Sequence, residues 1–161
     1  MNPEQIKLIK LLQDIAEVKL ISNKDSASFK GISNIKLKDQ EDAVAFFIQI
    51  LDIDMVNQLL DYRIYQDFEK QLFISKLKIA LDKFKEEGNN FLSKHKGFCN
   101  AKNCNYKCEG YTFLGDTTSH YFDLIFEVKN GKIFDIYECS EFKNTKHKLT
   151  KSNKIKIDNR I

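Results

Sequence analysis

The dipeptide Asn130-Gly131 separates two runs, residues 121–128 and 133–139, that are rich in aromatic and β-branched side chains. A two-residue turn of type I′ needs positive φ at both central positions, and Asn followed by Gly meets that requirement best. The two runs are therefore predicted to form an antiparallel hairpin. A two-residue turn would set the register so that Phe126 pairs with Asp135 and Phe122 pairs with Cys139.

The first half of the chain has a helical period instead. Apolar residues recur three and four positions apart over residues 8–18 and again over residues 73–84, and residues 43–51 form a nearly unbroken apolar run. Gly88-Asn89 predicts a left-handed stop for the last helix, which would begin near residue 61. We therefore predict an α+β fold in which three to four N-terminal helices pack on a small C-terminal antiparallel β-meander.

A length of 161 residues fits a single domain, residues 1–161. Within it we expect a helical half at 1–96, a cysteine loop with the hairpin sheet at 97–141, and a basic tail at 142–161. A further short strand is expected at 111–114.

No apolar stretch approaches the about 20 residues of a bilayer span, and acidic residues interrupt the N-terminal apolar stretch, unlike the core of a secretory signal. We therefore expect no membrane association and a cytoplasmic location, where cysteines stay reduced.

All four cysteines lie in the second half of the chain: Cys99, Cys104, Cys108 and Cys139. Zinc takes soft ligands in a tetrahedron, and structural zinc sites often use four thiolates. In a reducing compartment, clustered thiols favour a metal site over disulfides. The spacing therefore predicts a structural zinc held by these cysteines, although no paired C-x2-C knuckle is present.

The hairpin register argues against one zinc at all four cysteines. With residues 111–114 as the next strand, Cys108 would lie near the hairpin turn, and Cys139 would lie about six residues away along the sheet, or ~20 Å. The thiols could then meet only if the cysteine loop folded back across the sheet or the first strand paired elsewhere. Disulfides and unconnected buried or reactive thiols therefore stay open as alternatives.

A second hypothesis is a thiol-dependent enzyme or redox protein. The predicted register places His120 on the same sheet face as Cys139 and diagonal to it, within side-chain reach. A histidine beside a cysteine can produce a thiolate nucleophile. On the other face, Asp123 and Glu138 would be direct cross-strand neighbours, and Asp135 would lie among apolar side chains, where a carboxylate needs hydrogen bonds or a ligand. No oxyanion motif accompanies these residues.

The net charge of +3 is unevenly distributed. Residues 142–161 carry seven Lys or Arg residues against one Asp, so the first 141 residues are net acidic. Such a tail can bind nucleic acid through residues 143–160, or it can be a solvated end.

We expect a small binding or regulatory domain with a structural zinc and a protein partner rather than an enzyme. Thiol chemistry and nucleic-acid binding are the alternatives, and the sequence leaves the oligomeric state open.

Overall fold

Within the described part of the chain, four helices precede a five-stranded antiparallel sheet, which confirms the predicted α+β fold. The computed structural model describes residues 3–22, 36–60, 70–100, 108–139, 141–144 and 149–157. The helices are α1 (Pro3–Ser22), α2 (Gln40–Gln49), α3 (Ile53–Leu59) and α4 (Lys70–Glu86). The strands are β1 (Leu92–Cys99), β2 (Glu109–Gly115), β3 (Tyr121–Lys129), β4 (Lys132–Tyr137) and β5 (Phe142–Asn144). None of the described helices is long and apolar enough to cross a membrane.

The apolar run in α2 is the buried centre of the helical layer, with residues 43–48 all buried. Asp39 begins this helix, because its carboxylate accepts a hydrogen bond from the N–H of Asp42 at 2.9 Å. Asp52 begins α3 in the same way and also pairs with Lys19 of α1. Such caps satisfy N–H groups that have no partner within the helix. The acidic residues at these positions therefore determine where both helices begin.

The strand order is β4-β3-β2-β1-β5, and neighbouring strands are antiparallel. One sheet face, which includes Phe122 of β3, packs against the helices, and the ring centroids of Phe122 and Phe84 are 5.8 Å apart. Asn130 has φ of 54° and Gly131 has φ of 77°. These angles confirm the predicted β3–β4 hairpin turn.

A β-bulge in this hairpin changes the predicted register. Phe126 pairs with Ile136 rather than with Asp135. Cys139 lies beyond the end of β4 at Tyr137, so its predicted pairing with β3 is also wrong. A bulge inserts one extra residue into one strand of a pair and shifts every pair beyond it. Sequence alternation alone does not reveal where that residue is inserted.

The sequence pattern also does not predict β1, because residues 92–96 belong to the expected helical half at 1–96. This strand contains two lysines and a histidine, and its position comes from its pairing with β2 and β5. α4 ends at Glu86, and Gly88 follows with φ of 90°, as the predicted stop requires. The predicted start of this helix near residue 61 lies outside the described residues.

The basic C-terminal segment is part of the fold wherever it is described, and it is not a solvated tail there. Lys154 forms a parallel bridge with Tyr121, and the N–H of Ile155 donates to the Tyr121 carbonyl at 2.7 Å. Ile157 is buried in the core. Because β4 ends at Tyr137, this segment lies beside the part of β3 that β4 does not cover.

Asp123 holds the C-terminal segment against the sheet. Its carboxylate is buried, accepts a hydrogen bond from the Thr112 hydroxyl at 2.6 Å, and lies 3.2 Å from the ammonium of Lys154. The expected cross-strand pair of Asp123 with Glu138 does not form, because β4 ends before Glu138. A buried carboxylate is tolerated only when it is paired and hydrogen-bonded. Lys154 therefore has a structural role.

Replacing Lys154 by Ala should lower the free energy of unfolding by about 1–3 kcal/mol, because it leaves the buried Asp123 carboxylate without its cation. The matched change is Lys156→Ala, which removes an exposed lysine two positions away and should cost less than about 0.5 kcal/mol. Urea denaturation of both variants measures the difference. Equal effects in the two variants would contradict this role of Lys154.

Candidate functional site

The connection between β4 and β5 shows that the sheet is strongly curled. These strands are its two edges, and a flat sheet would place them about 19 Å apart, at ~4.8 Å per neighbour. Residues 138–141 join them, and the N–H of Phe142 donates to the Cys139 carbonyl at 3.2 Å as in a turn, so this connection is not extended. The edges must therefore approach each other. In agreement, the face away from the helices is itself buried at Thr112 and Ile125.

Two paired glycines permit this curl. Gly97 of β1 lies opposite Gly110 of β2. A Cβ atom on Gly110 would lie 2.0 Å from the carbonyl oxygen of Leu124, and one on Gly97 would lie 2.4 Å from the ring of Phe142. Glycine within a strand commonly marks a close approach of another backbone or a tight bend. Here it lets both neighbouring strands come close on the concave face.

The curl brings three of the four cysteines to one end of the sheet. Cys99 donates its N–H to the carbonyl of Cys108 at 2.8 Å, so Cys108, immediately before β2, lies opposite Cys99 at the end of β1. The β4–β5 connection places Cys139 Sγ 3.3 Å from Cys99 Sγ. No disulfide joins these three described cysteines. The expected separation of Cys139 along the hairpin does not apply, because Cys139 has left the hairpin.

Cys108 also contacts two polar side chains that the sequence analysis did not identify. Its Sγ is 3.3 Å from Tyr137 Oη and 3.7 Å from Glu127 Oε1, and Tyr137 donates to Glu127 at 2.6 Å. Burial, together with the hydrogen bonds to Cys108 and Glu127, raises the pKa of Tyr137 far above its ordinary value of 10.0. The phenol is therefore a hydrogen-bond donor. Glu127, which follows three consecutive apolar residues of β3, was the available sequence signal.

The proposed dyad of Cys139 with His120 is wrong. His120 lies at the other end of the sheet, where its carbonyl accepts the N–H of Gly115 at 3.0 Å and its Nδ1 is 2.6 Å from a carboxylate oxygen of Glu87. Gly115 pairs with the first residue of β1, whereas Cys139 contacts Cys99, the last. The length of β1 therefore separates them by about 20 Å. The dyad depended on a register that the bulge and the early end of β4 change.

The three carboxylates of the enzyme hypothesis have structural contacts instead. Glu138 accepts the N–H of Ile157 at 2.5 Å, and Asp135 accepts the N–H of Ile136 at 2.9 Å. Asp123 binds Thr112 and Lys154, as described above. The structure therefore does not bring these carboxylates together as an acid–base pair.

Among the described residues, no three His, Cys, Asp or Glu side chains converge as a metal-ligand group. Cys104 lies in residues 101–107, outside the described part, so the four-cysteine zinc site stays a prediction.

Comparison of the chain with protein families, with curated proteins and with solved structures found no match.

Nucleic-acid binding through residues 143–160 also stays a prediction. Lys154 is ion-paired with Asp123, whereas Lys143, Lys151 and Lys156 are exposed. A lysine that already neutralises a carboxylate contributes less to phosphate binding. The exposed lysines are the ones that such binding would use.

An acidic cavity of about 610 Å³ lies beside the cysteines, and its described lining is Glu41, Cys108, Glu109, Phe126, Glu127, Val128 and Phe134. Burial, followed by the neighbouring charges of Asp39 and Asp42, raises the pKa of Glu41, while a hydrogen bond with Tyr111 and the charge of Lys94 oppose the change. Folding therefore makes the ionised form of Glu41 less favourable than it is in the unfolded chain.

Replacing Glu41 by Gln should raise the free energy of unfolding near pH 7. Because the pKa of Glu41 is raised above its ordinary 4.5 on folding, its contribution to stability is lost as the pH rises through the folded pKa. Gln removes the charge and keeps an acceptor for Tyr111. The gain should disappear below about pH 4, where Glu41 is protonated in both states. Thermal unfolding across pH measures it, and an equal gain in the exposed control Glu86→Gln would contradict the explanation.

Proposed function

We propose that this chain is a small binding or regulatory domain in which Cys99, Cys104, Cys108 and Cys139 hold a structural zinc ion. The observation that supports this most is the 3.3 Å distance between the sulfurs of Cys99 and Cys139, which are 40 positions apart in sequence. Two thiols so far apart in the chain meet only because the β4–β5 connection brings them together. An enzymatic role has less support, because no general base lies beside Cys139 among the contacts of the described residues.

Two of the four proposed ligands lie at a separation that a zinc site could use. In a tetrahedral site with Zn–S bonds of about 2.3 Å, neighbouring sulfurs lie about 3.8 Å apart. The Cys99–Cys139 distance of 3.3 Å is close to that value. Cys108 lies opposite Cys99, and Cys104 belongs to the segment that joins these two residues. The three described cysteines therefore lie at one end of the sheet.

A zinc ion there would act as a cross-link. It would join the end of β1, the start of β2 and the β4–β5 connection, three chain segments that the curl brings together. Metal binding to a small domain contributes directly to its folding free energy, since the site does not exist in the unfolded chain. The ion would thus hold the curled sheet closed and fix the cysteine end for contact with a partner.

Protein purified without added metal should contain one zinc per chain by elemental analysis and native mass spectrometry. Cys139→Ser should lose the zinc and unfold at lower temperature, because one ligand and the link to the β4–β5 connection disappear. Chelation should lower the melting temperature of the parent protein and leave that of Cys139→Ser unchanged. The variant therefore controls for effects of the chelator other than zinc removal. Protein without metal, with four thiols that react at once, would overturn the zinc site.

The second candidate function is a reversible thiol–disulfide pair, supported by the same Cys99–Cys139 contact. In the described residues Cys108 binds Tyr137 and Glu127, so Cys99 and Cys139 can act as a pair without it. Oxidation would form one S–S bond and release two protons and two electrons. Glutathione disulfide would accept them and become two molecules of glutathione.

In metal-free protein equilibrated with glutathione buffers, peptide mapping should find a disulfide between Cys99 and Cys139 as the buffer becomes more oxidising. Cys108→Ser should leave this bond unchanged, since it removes a thiol outside the pair. If Cys99 and Cys139 stay reduced under conditions that oxidise glutathione, this function is excluded. A disulfide that instead includes Cys108 would exclude the assigned pair.

A further inference from the structure

Three apolar side chains are exposed around the cysteine end of the sheet. Phe98 of β1 is 41% exposed, Val128 of β3 is 40% exposed and Phe134 of β4 is 43% exposed. Phe126 and Tyr111, which lie beside them on β3 and β2, are buried. The described helices therefore cover the middle of the sheet, whereas these three side chains at its cysteine end are partly exposed.

Two cavities lie at this end of the sheet. The cavity of about 610 Å³ is bounded by Val128 and Phe134, and a second cavity of about 260 Å³ is bounded by Phe98. Glu41, in the first turn of α2, and Glu109, at the start of β2, line both cavities. Because they share these two residues, the two cavities are adjacent, and together with their apolar lining residues they are called the groove.

The described charges of this groove are mainly negative. Glu41, Glu109 and Glu127 line it, and Lys96 is the one cation among the described lining residues. Asp39 and Asp42 lie close enough to Glu41 to raise its pKa. Lys94 lies over the ring of Tyr111, 5.0 Å from its centroid. An incoming cation would therefore meet a surplus of carboxylates around apolar side chains.

We propose that this groove binds a basic, amphipathic peptide segment of a partner protein, in which lysines or arginines alternate with large apolar residues. The apolar residues would cover Phe98, Val128 and Phe134, and the cations would meet Glu41, Glu109 and Glu127. Nucleic acids and anionic lipid headgroups carry the charge that these carboxylates repel. This inference rests on the proposed binding function and names the surface and the chemistry of the partner.

The test uses the whole 161-residue chain and a fluorescent peptide in which lysines alternate with leucine and phenylalanine. Fluorescence anisotropy should show saturable binding that weakens with added salt, because part of the attraction is between charges. Two control peptides replace either the lysines by glutamates or the apolar residues by serines, and neither should bind measurably. If the serine peptide binds as tightly as the original peptide, the apolar residues do not contribute to binding, and the proposal is wrong.

Substitutions test whether the peptide binds at the groove. Phe134→Ser should weaken binding about tenfold, as loss of an apolar anchor at an interface does, and Glu109→Gln should weaken it severalfold. The matched controls are Ile79→Ser and Glu86→Gln on α4, which change an exposed apolar residue and an exposed carboxylate away from the groove. Both should leave the affinity within about twofold of the parent. Equal losses in the groove and control variants would overturn the proposal.

Two further measurements separate this inference from the zinc site. Metal content is determined on the same preparation. If zinc-free protein binds the peptide, the groove proposal stands and the zinc proposal fails. If protein that contains zinc does not bind the peptide, the zinc proposal stands and the groove proposal fails. Analytical ultracentrifugation tests whether a second copy of the chain occupies the surface. A dimer that Phe134→Ser dissociates would replace the partner peptide with self-association and overturn the proposal.

Discussion

The close approach of β4 and β5, the two edges of the sheet, is the constraint on which the rest of the structure depends. Only four residues connect these strands, and a turn shortens that connection, so the sheet has to curl. Gly97 and Gly110 make the curl sterically possible, because a side chain at either position would collide with an adjacent strand or ring. Without the curl, Cys139 would not reach Cys99.

The two candidate sites arise at the same end of the molecule for different reasons. The cysteines meet on the concave face because the strands curl around it. The groove lies beside the start of α2, whose first turn contributes Glu41 to its lining. Cys108 belongs to both, as it lines the larger cavity and lies opposite Cys99. A cross-link among the cysteines would therefore also stiffen the strands that form the groove.

Local patterns predicted the elements that depend on local chemistry. Asn130-Gly131 identified the hairpin, because few residue pairs adopt two successive positive φ angles. The apolar run of α2 and the cap at Asp39 identified a buried helix and its start. β1 was missed because its lysines and histidine disturb alternation, and pairing on both sides holds it as a strand. The bulge, which leaves Phe134 unpaired between Ile133 and Asp135, was missed because one inserted residue leaves no periodic signal. Together with the early end of β4, it made the predicted pairing of Cys139 wrong.

The sequence by itself determined the fold class, the hairpin turn and the part of the chain in which the cysteines lie, since these follow from periodicity, backbone preference and residue position. It did not determine which cysteines meet. That depended on the register beyond the bulge, on where β4 ends and on how far the sheet curls. These features result from packing between residues far apart in the chain. Only the tertiary structure therefore decided that Cys139 lies beside Cys99 and that His120 lies beside Glu87.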